Sequence, residues 1–184
     1  LSILDVLPRE ATPWALCCKT LWIDKCCINQ ETPETIAAGI AGFKRFVESS
    51  DKMVAFVSRA YFQRLWCVYE LATFCRYHRD SGLGGKLLLL SLRWPSTFSP
   101  FKRRELTAGE EAWLSGFECV QAKCFKPSDR AMLLARIRDE WGSEEAFDHF
   151  VRTELPKLLE RSKRRYSWQL LRTMFEAFDL AFGG

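Results

Sequence analysis

The chain has no long apolar run. Its longest, LLLLSL at 87–92, is far short of the ~20 residues a membrane helix needs and reads as a strand. Histidine is scarce, with only His78 and His149, and the eight cysteines show none of the Cys-x2-Cys knuckles of structural zinc sites. Two cysteine pairs are adjacent, Cys17-Cys18 and Cys26-Cys27. Neighbours on a strand end point to opposite sides, so neither a shared metal nor a local bridge is expected, and the thiols read as buried and free. No metal site and no tightly bound cofactor are predicted. The opening residues show no charged, apolar and small-residue cleavage pattern, which together with the cysteine usage points to an intracellular, reducing compartment. Charge of one sign is sparse as well. The net charge is +4, and basic residues are spread along the chain apart from RSKRR at 161–165, so nucleic acid is not the expected partner.

What is present is a core-forming composition, 48% hydrophobic over 184 residues, enough for one sizeable core and an appendage. TLWID (20–24), KMVAFVS (52–58) and KLLLLSLRW (86–94) have the texture of buried strands. Between the first two, CCINQETPETIAAG reads as a polar loop, followed by a helix in which Ile40, Phe43, Phe46 and Val47 share a face. A second helix carries Leu65, Val68, Leu71, Ala72 and Cys75 as one stripe, until GLGG at 82–85 breaks it. Strands alternating with helices predict an α/β fold, a parallel sheet flanked by helices, over residues 1–95. Residues 96–127 have no steady period and read as a linker or irregular segment. Residues 128–184 read as a helical extension, with Ser128 as an N-cap, Gly142 as a stop, Ser143 as a second, capping-box-like start and Pro156 as a kink or end. Its last stretch, YSWQLLRTMFEAFDLAF, spaces Leu171, Met174, Phe175, Phe178 and Phe182 into one broad apolar stripe. With the basic run before it, that stripe predicts burial against a protein partner, a membrane surface or a membrane complex.

Two motifs carry a resemblance. LWIDKCCINQ (21–30) resembles the Trp-Ile-Asp, Cys-Ile-Asn-Gln signature of heterokaryon-incompatibility domains, relatives of the TIR (Toll/interleukin-1 receptor) fold. SRAYFQRLWCVYELATF (58–74) resembles the TIR segment in which a Ser and a Tyr precede Trp-Cys-x-x-Glu-Leu, matched here by Ser58, Tyr61, Trp66, Cys67, Glu70 and Leu71. The motifs fall in the family's order, and the resemblance covers roughly residues 20–95. It implies a TIR/flavodoxin-like sheet. No first strand and helix are legible before residue 20, so the expectation is that the chain is a fragment or that the sheet lacks its first strand.

The resemblance also implies chemistry. Some TIR domains cleave the nicotinamide–ribose bond of NAD, and Glu70 matches their catalytic glutamate. Loss of neutral nicotinamide leaves an oxocarbenium-like ribose, which one carboxylate can stabilise without a second acid. NAD would then be a substrate, framed by Tyr61 and Trp66 and covered by the loop that carries Asp24 and Asn29. Arg64 stands where family members often have serine, and would either fill the pocket or bind phosphate. The structural alternatives are as concrete: Glu70 as an ordinary helix carboxylate, and Asp24 and Asn29 as loop-amide acceptors that end the strand. Two function classes follow. One is a TIR-like signalling or defence domain that hydrolyses NAD. The other is a TIR-like module without chemistry that works through protein partners or self-association.

Overall fold

In the computed structural model, residues 2–6, 20–23, 31–58, 60–92, 101–103, 106–124 and 127–162 are described. Five strands, β1 (Ser2–Val6), β2 (Thr20–Ile23), β3 (Ser50–Phe56), β4 (Leu87–Leu92) and β5 (Phe101–Arg103), form one sheet in the order β2-β1-β3-β4-β5. That is the 2-1-3-4-5 strand order of flavodoxin-like sheets. β3 and β4 pair in parallel, with Met53 opposite Leu87, whereas β1 is antiparallel to both β2 and β3, and β5 is antiparallel to β4. A parallel neighbour needs a crossover, and the run from β3 to β4 contains a helix, Leu65–His78; the run from β2 to β3 contains another, Pro33–Ser49, and these strands also point the same way. The fold class is thus α/β as expected, with the parallel pairing confined to β3 and β4. The expectation of a missing first strand is corrected: SILDV forms β1 between β2 and β3, using hydrogen-bond partners about fifty residues away, beyond the reach of local pattern.

Six helices are described: α1 (Pro33–Ser49), α2 (Leu65–His78), α3 (Ala108–Ser115), α4 (Pro127–Trp141), α5 (Glu144–Thr153) and α6 (Leu155–Ser162). The first begins earlier than its apolar stripe suggests. Thr32 is an N-cap whose Oγ1 accepts from Thr35 N at 3.3 Å, Thr35 Oγ1 accepts from Thr32 N at 3.2 Å, and Pro33 supplies the first helical φ. The polar stretch read as loop is therefore partly helix. Between 96 and 127, read as a linker, β5 closes the sheet edge. Here α3 is capped by a Thr107/Glu110 box and held by Trp113 Nε1 donating to Phe62 O at 2.8 Å. Gly142, at φ +85°, takes the left-handed turn that ends α4, and Ser143 caps α5 through Ala146 N at 3.1 Å. Helix α4 begins at Pro127, so Ser128 lies inside it. Pro156 stands in the first turn of α6, where its missing N–H costs nothing.

Helix α2 is the hub. It meets α1, α4, α5 and α6, and along it Leu65, Cys67 to Cys75 and His78 are all buried. A helix apolar on nearly every side belongs in the interior. One core runs from Phe43 and Met53 through Leu71 and Leu87 to Ile137, Phe147 and Leu159, so the described helices after residue 127 share the core of the α/β part. Among the described residues no helix is long and apolar enough to cross a membrane. The predicted stripe at 166–182 lies outside the described residues.

Candidate functional site

Because β2 and β3 point the same way, Ile23 and Phe56 end at the same edge of the sheet. In open α/β sheets, ligands bind beyond the carboxyl ends of parallel strands. The segment that leaves β3 there passes through a 3-10 turn at Tyr61–Gln63 and enters α2 at Leu65. Asp24 and Asn29 follow β2 in the chain and lie outside the described residues.

The remaining predicted site residues are brought together only in part. Glu70 is 1% exposed, in the second turn of α2. At about 100° per residue it stands roughly 40° around the axis from Trp66, so these two share a side. Trp66 is half-buried and packs on α1, its ring 5.4 Å from that of Phe43 and 6.1 Å from that of Tyr69. Tyr61 is a core residue, 2% exposed, edge-on to Phe62 at 5.3 Å. Arg64 is exposed and roughly 120° around the axis from Glu70. Its backbone forms a bridge with Lys123, flanked by Lys123 N donating to Gln63 O at 2.7 Å and Leu65 N donating to Lys123 O at 2.9 Å. Its guanidinium is close enough to Cys124 to offset part of the upward push that burial gives that thiol. The geometry separates Arg64 from the Trp66 and Glu70 side.

A polar cluster that the sequence did not signal lies beside Trp66 on α2, built on Tyr69. Tyr69 Oη donates to Glu140 Oε2 at 2.7 Å, Arg136 Nε donates to Glu140 Oε1 at 2.9 Å, and Arg136 Nη2 reaches Ala41 O at 2.7 Å. Glu140 ties α2 to α4, and Arg136 ties α4 to α1. Burial, then the Glu140 carboxylate, pushes the Tyr69 phenol far above its ordinary range, so it acts as a fixed donor. Sequence separation of 71 positions hides the pair from any local reading.

Two of the described cysteines, Cys75 and Cys119, are poor nucleophiles. Burial pushes the Cys75 thiol well up, and burial followed by the Asp148 carboxylate pushes Cys119 up to about 12. Thiols held protonated are inert. Cys67, Cys75, Cys119 and Cys124 are not in disulfides, and among the described residues no group of three or more His, Cys, Asp or Glu could hold a metal ion.

Two shallow grooves open on the outer side of α1 and α2. The larger, about 490 Å³, has Gly42, Arg45, Phe46 and Tyr77 among its walls. The smaller, about 310 Å³, runs past Lys44, Thr73, Arg76 and Trp141. Tyr61, Trp66 and Glu70 line neither. No protein-family model matches the chain, and neither does any curated protein or solved structure searched.

Proposed function

We propose that this chain is a TIR-like signalling or defence domain that works as a protein-interaction module, with Glu70 serving as a core carboxylate and not as a catalytic one. The observation that carries this reading is the burial of Glu70, 1% exposed within a helix whose other sides are packed. A carboxylate that stabilises a ribosyl cation must touch the sugar, whereas this one sits below the surface beside a Trp66 engaged with Phe43. Interaction is favoured also by aromatic side chains left at the surface, Phe46 at 37% and Tyr77 at 50% exposure. Protein partners, or a membrane-associated complex met through residues 166–182, are the contacts this reading assigns.

NAD cleavage is the second reading. In its favour, Glu70, Trp66 and the segment after β2 all follow strands that end at one sheet edge, the position where α/β folds take ligands. The test is to incubate purified protein with NAD and quantify nicotinamide by chromatography. The interaction reading expects no release above that of a Glu70→Ala variant. Release that falls by about 100-fold in the variant would replace it with the catalytic reading.

A further inference from the structure

The two grooves on α1 and α2 share Glu48 and Tyr77, so they form one continuous surface. We infer that this surface docks an acidic peptide segment of a partner protein, anchored by an apolar side chain between Phe46 and Tyr77 and held at its carboxylates by Arg76 and its neighbouring cations. The inference deepens the interaction reading and rests on it.

Charge selects the partner. Lys44, Arg45, Arg76 and Arg79 line the two grooves, against Glu48 and Asp80. Among the described residues those acids pair with exposed cations, Glu48 with Lys44 at 3.9 Å and Asp80 with Arg79 at 3.4 Å. Such pairs exchange readily for an incoming carboxylate. Glu140 also borders the surface, but its carboxylate is occupied by Arg136 and Tyr69. Two cations are left in excess. Arg76 is the best prepared of them: its guanidinium stacks 4.4 Å from the Trp141 ring, and Nη1 donates to the Glu140 carbonyl at 3.2 Å. A planar fork held in place loses little entropy when it takes a carboxylate. Thr73, which lines the smaller groove, is 8% exposed and its hydroxyl has no hydrogen-bond partner among the described residues.

Shape selects the anchor. Phe46 on α1 and Tyr77 on α2 are two of the four large hydrophobic side chains exposed among the described residues, and both border the larger groove. Gly42 leaves the space beside Phe46 open, since a Cβ there would already touch Phe46 Cε2 at 3.4 Å. Peptides that lie in a groove are held by apolar side chains seated in it.

The experiment uses the full chain and fluorescence polarisation with a labelled peptide in which Asp and Glu alternate with Phe and Leu, against its lysine counterpart. The acidic peptide is expected to bind, to weaken as salt rises, and to lose about tenfold or more in affinity with Arg76→Glu and with Gly42→Leu. The second variant keeps every charge and replaces a helical glycine with a better helix former, so it separates blockage from misfolding. The inference is overturned if the acidic peptide shows no saturable binding up to roughly 1 mM, if the lysine peptide binds as well, or if either variant binds like the parent. Nicotinamide release would overturn the interaction reading itself and is a separate measurement.

Discussion

On the sheet side of the molecule, Phe43, Val47, Met53, Leu71 and Leu87 enter one apolar core; the helices after residue 107 send Leu114, Ile137, Phe147 and Leu159 into that same core and are tied down by directional bonds as well. Cys119 N donates to Asp148 Oδ1 at 2.9 Å, Arg152 Nε to Phe117 O at 2.6 Å, Arg130 Nη2 to Ala122 O at 2.6 Å and Trp113 Nε1 to Phe62 O at 2.8 Å. The difference has a physical cause. Strands and long helices satisfy their own backbone groups, so apolar area alone can join them. In the described part of the stretch between α3 and α4, β-pairing is limited to one isolated bridge at Lys123, so polar groups such as Cys119 N and Phe117 O are met by side chains. Arginine serves there because one fork can reach two carbonyls, as Arg130 does with Val120 and Ala122.

The comparison breaks most visibly at Phe43. It is fully buried and touches the rings of Trp66 and Tyr69. Phe43→Ala is expected to cost about 3–5 kcal/mol in urea unfolding, with sheet and helices melting in one transition. A loss below about 1 kcal/mol would mean that apolar packing does not join the two sides.

A smaller, local effect is expected at Asp148, which is 7% exposed and holds the Cys119 amide. Asp148→Ala leaves that amide without its acceptor and should cost about 1–3 kcal/mol. Hydrogen exchange at residues 117–122 should quicken more than exchange in β3 and β4. Uniform quickening across the chain would show that the directional bonds do not act locally.

The smallest effect is a pH dependence where the sheet meets α2. His78 is buried, its ring 4.4 Å from that of Phe74. Burial and then Lys86 hold its pKa below the ordinary 6.5, against the pull of the Val47 and Ser50 carbonyls and of Asp51. The folded state therefore binds the proton less readily than the unfolded chain. Its stability contribution is complete above pH 6.5 and is lost as pH falls below that value toward the depressed folded pKa. Melting temperature should drop over that interval, and His78→Gln should flatten the drop. An unchanged slope in the variant would assign the acid sensitivity to other groups.

Part of this architecture is legible in the chain. The runs around Thr20–Ile23, Ser50–Phe56 and Leu87–Leu92 are apolar and bounded by polar or turn residues, and they are strands. Gly142 and Ser143 read correctly as a stop and a start because both act through their own backbone geometry. The start of α1 was not read, because its signal is a cap and a proline, Thr32-Pro33, and not an apolar stripe. Of the candidate site, the placement of Trp66 and Glu70 on one helix followed from their spacing. The exposure of Arg64, the burial of Tyr61 and the Tyr69, Glu140 and Arg136 cluster did not, since each depends on segments far away in sequence.

By itself the sequence determined that Thr20–Ile23, Ser50–Phe56 and Leu87–Leu92 extend and that the chain around Phe43, Leu71 and Phe147 coils, because side-chain spacing, caps and turn residues act within a few positions of one another. Only the tertiary structure decided that β1 would run against both its neighbours, and that α2 would be enclosed on nearly every side so that Glu70 lies inside it. Strand direction is set by which distant backbone groups pair, and burial by which helices arrive to cover a face. Neither quantity is written in any local window of residues.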